Sequence, residues 1–247
     1  MRQLAIGMNA PEVGHLQRLL NLNNLENGLP EPDLRDDCAF GPRTKARLER
    51  WQASMGITAT GITDSRTWHD LGQITEIDHP VTLFPQPTGE SCWSAAATML
   101  FGDRCVGPGS AALAGPARRT GFNRGTAPHL IADSEDNVRT FLREAGLTYY
   151  PPRRWAISEL VQMLRRGPLW AAGRWQSGAQ RGGHVVVISA VWADQGMNNS
   201  GTTFRIHDPW PPTRGAIYAA RYDTVGFQAL VRSGTSFNQG MIALASR

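Results

Sequence analysis

From His184 to Ala193 the chain runs HVVVISAVWA, its longest nearly unbroken apolar stretch, directly behind Gly182-Gly183. A membrane-spanning helix needs about 20 such residues, so no membrane span is expected and the stretch reads as a strand. LWAAGRW from Leu169, TTFRIHDPW from Thr202 and the closing residues to Arg247 read the same way. Everything before them has the other periodicity. CWSAAATML (Cys92–Leu100) has the Ala-rich composition of a buried helix, and Ser134–Ala145 and Ile157–Arg166 read as amphipathic helices. Helices first and strands after predict an α+β unit.

The N-terminal part reads as a separate three-helix module. Glu12–Leu22 places Val13, Leu16, Leu19 and Leu20 at helical spacing. Gly41–Gly56 has Pro42 at a helix start, an apolar line of Leu48, Trp51 and Met55, and Gly56 as a stop. Asp64 is placed to cap a last short helix ending near Gly72. This divides the chain into a helical domain over residues 1–73, a Pro-punctuated linker over 74–87 and a second domain over 88–247.

Composition excludes several classes. Across 247 residues, 41% are hydrophobic and 19% charged, an ordinary globular profile rather than that of a disordered or fibrous chain. Residues up to Pro80 carry 8 basic and 11 acidic side chains, a net of −3; the rest carry 17 and 10, a net of +7, and the two sum to the overall +4. Lys45 is the one lysine, and the arginines are scattered rather than drawn into a stripe, so no nucleic-acid partner is expected. Cys38, Cys92 and Cys105 form no CxxC pair and no Cys/His ligand run, so neither a metal nor another cofactor is expected.

Two sets of motifs resemble known families. Leu16-Gln17, Phe40-Gly41, Thr44, Trp51-Gln52, Gly56-Ile57, Thr60-Gly61 and Thr67-Trp68 fall in the order of the small peptidoglycan-binding domain carried by many bacterial and phage cell-wall enzymes. Cys38 and Arg47 depart from that pattern, as does the long loop before Asp37. The second set is QPTGESCWSAAATML, which resembles the nucleophile helix of papain-like cysteine peptidases. There Gln86 stands six residues before Cys92, the family's spacing for its oxyanion-hole glutamine. GPLW, GGHVVVISAV and HDPWPPTRG resemble the bacterial effector branch of that clan. The resemblance implies a helix bearing the cysteine packed on an antiparallel sheet or barrel.

The chemistry is coherent without the family. A cysteine nucleophile is activated by a helix N-terminus and a neighbouring imidazolium, and Cys92 opens a helix behind the polar Gly89-Glu90-Ser91. The strand from His184 and the strand ending near Asp208 flank the polar turn Asp194–Gly201. Folded as an antiparallel hairpin, they bring Asp208 to within a few residues of the position opposite His184. Cys92, His184 and Asp208 then read as nucleophile, base and orienter, and the resemblance adds Gln86 as oxyanion donor. His207 lies on the other strand face by the period of two and is the weaker base. Trp93 and Trp210 read as packing around the site, and His15, His69, His79 and His129 show no partner pattern.

A wall-binding module joined to an amide-cleaving thiol enzyme points to peptidoglycan stem peptides or cross-links as substrate. The alternative is a protease directed at specific proteins of a target cell, with the module for targeting or regulation. A third reading is a wall-binding protein whose papain-like half has lost activity. The first ten residues hold one Arg and no apolar core, so no cleaved secretory signal is expected. The expected route is synthesis in the cytoplasm followed by injection or lytic release, with action at a target cell's wall or periplasm. An injected toxin would need a cognate immunity protein in its producer.

Overall fold

The computed structural model describes residues 2–26, 32–89, 91–101, 135–177, 180–194, 202–221 and 235–245. Three helices come first: α1 (Pro11–Glu26), α2 (Pro42–Ser54) and α3 (Ser65–Asp70). Strand β1 (Gln73–Asp78) follows, then α4 (Cys92–Phe101), α5 (Glu135–Glu144), β2 (Leu147–Tyr150) and α6 (Ile157–Leu164). Three long strands and two short ones complete the sheet: β3 (Leu169–Ser177), β4 (Gln180–Asp194), β5 (Thr203–Asp208), β6 (Ala216–Arg221) and β7 (Thr235–Ala245). The α+β class is as the sequence predicts. The Gly102–Gly125 run, Cys105, His129 and most of the turn at 194–201 lie outside the described residues.

The helical module is closed by its own core of Leu16, Leu20, Phe40, Leu48, Trp51 and Trp68. Its two motif glutamines staple loops rather than face solvent. Gln17 Nε2 donates to Ala39 O and Asp37 Oδ1, both at 3.0 Å, and Gln52 Oε1 accepts from Gly61 N at 3.0 Å. Asp64 caps α3 as expected, accepting from Thr67 N at 2.7 Å. Met55 departs from expectation. It is the C-cap of α2 and is 39% exposed, so the buried apolar line of that helix ends at Trp51.

The sheet is antiparallel throughout, in the order β2-β7-β3-β4-β5-β6, with β1 added to β4. β4 organises it: residues 180–188 pair with β3, residues 190–194 with β1, and residues 187–192 with β5. A bulge at Ser189 skips one residue in the β5 pairing. The bulge keeps both faces of β4 consistent along its length. Val186, Ile188, Val191 and Ala193 share one core with α6, while Val185 and Val187 share another with α4 and α5.

The expected linker is corrected here. Residues 73–78 form β1, whose Ile77 packs on the sheet core, and Val81, Leu83 and Phe84 lie against the α4 cluster. Prolines do punctuate this stretch from Pro80 onward, but the strand before them owes its existence to the far half of β4, a partner more than a hundred residues away.

The module docks on this sheet around the buried side chain of His15. His15 of α1 is stacked between Trp68 of α3 and Trp192 of β4, with ring centroids 6.0 Å away on each side. Its Nε2 donates to Gln73 Oε1, so Nδ1 accepts from the Thr203 hydroxyl at 2.8 Å. The same hydroxyl oxygen accepts from Arg18 Nη2 at 2.8 Å. Trp192 and Thr203 are register partners on β4 and β5, so one helix residue grips two adjacent strands. Burial, reinforced by the Arg18 charge, pushes the His15 pKa down to about 3 from 6.5.

A histidine held neutral in the fold stabilises it fully above its unfolded pKa, and that contribution fades as pH falls from 6.5 toward 3. We therefore expect the thermal midpoint to fall as pH is lowered from 6.5 to 4, and to fall less steeply in His15→Gln, which cannot titrate. His15→Ala leaves Thr203 and Gln73 without this partner, at about 1–3 kcal/mol for each buried polar group. Calorimetry should then show the module melting ahead of the sheet. Equal pH slopes in wild type and His15→Gln would remove His15 from this role.

Candidate active site

Cys92 is the first residue of α4, and the carbonyl of Ser91 already accepts the helical bond from Ala95 N at 3.0 Å. The Ser91 hydroxyl holds the preceding loop, accepting from Thr88 N at 3.1 Å. Ala95, Ala96 and Ala97 are buried, and small side chains here let α4 sit close to β4. Trp93 packs as expected, edge-on to Phe141 at 4.9 Å, while its carbonyl accepts from Trp170 Nε1.

His184 lies near the start of β4 and Asp208 at the end of β5. The register pairs Val187 with His207, so Asp208 falls opposite Val186, two residues from His184 and on the same face. His184 Nε2 donates to Asp208 Oδ1 at 2.7 Å. That leaves Nδ1 for Cys92, whose side chain hydrogen-bonds the same ring. All three groups are buried. Burial pulls the His184 pKa down, but the hydrogen bonds to Asp208 and Cys92 and their negative charges outweigh it and push the pKa up to about 9. The imidazole therefore holds its proton at neutral pH.

The Asp208 carboxylate has three donors. Besides His184, Oδ1 accepts from Trp210 N at 2.9 Å and Oδ2 from the Tyr218 hydroxyl at 3.1 Å. Sequence reasoning passed over Tyr218, because its strand is short and no motif marks it. Trp210 also differs from expectation: its ring is 42% exposed rather than packed, and its backbone is what serves the site.

Gln86 is fully buried and is held by the turn that follows Asp208. Its N–H donates to Pro209 O at 3.0 Å and its carbonyl accepts from Thr213 N at 2.9 Å. Gly215 closes that turn at φ +58, where an added Cβ would stand 3.0 Å from Asp208 O, so glycine is required there. The Gln86 side chain donates from Nε2 to Thr88 O at 2.6 Å, and Thr88 in turn bonds Ser91, the neighbour of Cys92. Its Oε1 has no partner among the described residues. The second hydrogen of Nε2 is left for another acceptor.

All four candidates thus belong to one assembly: Cys92, His184 and Asp208 through side-chain bonds, and Gln86 through the loop that precedes Cys92. His207 does not join it. It lines a cleft of about 800 Å³ between the module and the sheet, with Glu12, Asp37, Cys38 and Asp78 among its walls. Neither of its ring nitrogens has a partner among the described residues. Burial, then the Arg205 charge, lowers its pKa to about 4, so it stays neutral and away from the thiol.

Residues 73–223, more than half of the chain, match the papain-like cysteine protease AvrRpt2 family. The chain belongs to that family. Residues 9–71 match a peptidoglycan binding domain. A comparison with curated proteins found no match. The family match starts at Gln73, the first residue of β1, which agrees with β1 being part of the protease sheet rather than a tether.

With an imidazolium beside its sulfur, Cys92 of the protease should react faster than a thiol without one. At pH 6 iodoacetamide is expected to alkylate Cys92 ahead of the more exposed free thiol of Cys38, as read by peptide mass spectrometry. His184→Ala is expected to abolish the preference. Equal labelling of the two thiols in the wild type would remove His184 as the activating group.

Proposed function

We propose that the protein cleaves amide bonds of peptidoglycan, in stem peptides or cross-links, with Cys92 as nucleophile, His184 as proton carrier, Asp208 as its orienter and Gln86 as oxyanion donor. The observation that carries this reading is the docking of a module matching a peptidoglycan binding domain onto the strands that carry His184 and Asp208. A module fixed there holds the catalytic unit on an insoluble polymer and raises its local concentration.

In the proposed cycle the proton already sits on His184, and a lone pair of the Cys92 sulfur attacks the amide carbonyl. The carbonyl π electrons move to oxygen, which is held by the free Gln86 N–H and by the backbone at the start of α4. Collapse of this intermediate breaks the C–N bond, and the leaving amine takes the proton from His184. Water then attacks the thioester, giving one proton to His184, and the C–S bond breaks to release the carboxylic acid and restore the starting pair. The whole sequence uses one proton carrier in two directions, which suits a group with strong partners on both nitrogens.

Delivery is part of the same proposal. A secreted or injected antibacterial effector would act in the wall of a target cell and leave its producer in need of an immunity protein; a lysin would be released by lysis. The family's own description is of a protease, so a protein substrate in a target cell is the reading to test against.

The test is a digest of purified peptidoglycan with wild type and Cys92→Ala, read by mass spectrometry. New fragments from wild type alone, with a fall of at least a thousandfold in Cys92→Ala, are expected, and their masses identify the bond. An unchanged digest by a wild type that still reacts at Cys92 would overturn the wall substrate and leave a protein-directed protease.

A further inference from the structure

Three adjacent strands each contribute one polar side chain to the same sheet face. His184 comes from β4, Asp208 from β5 and Tyr218 from β6, among Val186, Ile188, Phe204, Ile206 and Ala220 of the core. On β6 the register pairs Ala216 with Asp208 and Tyr218 with Ile206. Tyr218 is therefore displaced by two residues from the position opposite Asp208, just as His184 is on the other side. Diagonal neighbours of this kind lie within reach of long side chains, and the carboxylate is bracketed by a donor from each flanking strand.

The two oxygens of that carboxylate are not equivalent. Oδ1 receives His184 Nε2 and Trp210 N, whereas Oδ2 receives the Tyr218 hydroxyl at 3.1 Å. A carboxylate tied at one oxygen can still swing about its Cβ–Cγ bond. A donor on the second oxygen removes that freedom. Asp208 and Tyr218 are both buried, so bulk water does not replace the phenol. The hydrogen bond from His184 to Oδ1 is the first of the contacts that hold the proton on that ring.

We propose that Tyr218 is a positioning residue for the reaction: its hydroxyl fixes the plane of the Asp208 carboxylate so that Oδ1 stays on His184. The proposal rests on the Cys92–His184–Asp208 reading above. It differs from a purely structural role, in which the hydroxyl merely satisfies itself against the nearest acceptor. A structural role would change stability alone. A positioning role changes the proton affinity of His184, two strands away from the substituted residue.

The experiment follows the His184 ring proton resonance through a pH titration, assigned by its loss in His184→Ala, in the full chain as wild type, Tyr218→Phe and Asp208→Asn. Tyr218→Phe keeps the ring in the core and deletes one oxygen. The His184 midpoint is expected to fall by at least half a pH unit in Tyr218→Phe and by two or more in Asp208→Asn. Iodoacetamide alkylation of Cys92 at pH 6 is expected to slow about threefold to tenfold in Tyr218→Phe, at a thermal midpoint within a few degrees of wild type. A Tyr218→Phe titration and alkylation rate equal to wild type, with Asp208→Asn shifted, would overturn the proposal and leave the triad standing; a lowered thermal midpoint in that case would mark Tyr218 as structural only. A His184 midpoint unmoved by Asp208→Asn would sink the triad reading itself, and the role of Tyr218 with it.

Discussion

The register of β4 against β5 is the constraint on which both halves of this molecule depend. At one end of the pair it sets His184 within 2.7 Å of Asp208; toward the other it sets Trp192 opposite Thr203, the two residues that receive the helical module. Because side chains alternate faces, a slip of one residue would turn His184 or Asp208 away and would also dismantle the docking surface. The bulge at Ser189 is part of the same device. Without it, the parity that sends Val185 and Val187 to the α4 side would send Trp192 to the opposite face. Ser189 is itself tied in place, its carbonyl accepting from His79 N at 2.9 Å and its hydroxyl from Arg205 Nε at 2.8 Å.

This arrangement changes what a binding module can contribute. A module on a flexible tether adds only local concentration, which falls as the tether lengthens. Here the path from α3 to the sheet is short: α3 ends at Asp70 and β1 begins at Gln73. Gln73 both opens β1 and accepts from His15. A polymer held by the module would therefore be presented to Cys92 in a limited set of positions. Fixed presentation favours one bond in a repeating substrate over its chemically similar neighbours, whereas a tether would sample them all.

The parts of the site that were legible in the sequence are those with local signals. Cys92 opens an Ala-rich helix, Gln86 precedes it by a fixed interval, and His184 follows two glycines at the head of an apolar run. Asp208 required only the assumption of a hairpin. What escaped was set by distant partners. β1 is a strand because β4 extends past β3 and offers an unpaired edge. His15 looked partnerless because its partners, Gln73, Thr203, Trp68 and Trp192, are spread over 188 positions of sequence at the farthest. Tyr218 is visible only once β6 is in register. Trp210 misled for a different reason: aromatic residues near a site usually pack, but its backbone N–H is turned in to the carboxylate and its ring is left at the surface.

Three buried imidazoles show what sets His184 apart. His15, His184 and His207 are each withdrawn from water, and burial alone moves every one of them toward the neutral form. At His15 the Arg18 guanidinium adds to that push, and at His207 the Arg205 guanidinium does so against a weaker opposing effect of Asp78. At His184 the hydrogen bonds to Asp208 and Cys92, and then their charges, outweigh it. Among these three, only His184 combines a proton held at neutral pH with an acceptor waiting on its other nitrogen. Depth of burial does not distinguish His184 from the other two. A carboxylate hydrogen-bonded to the ring from the adjacent strand does.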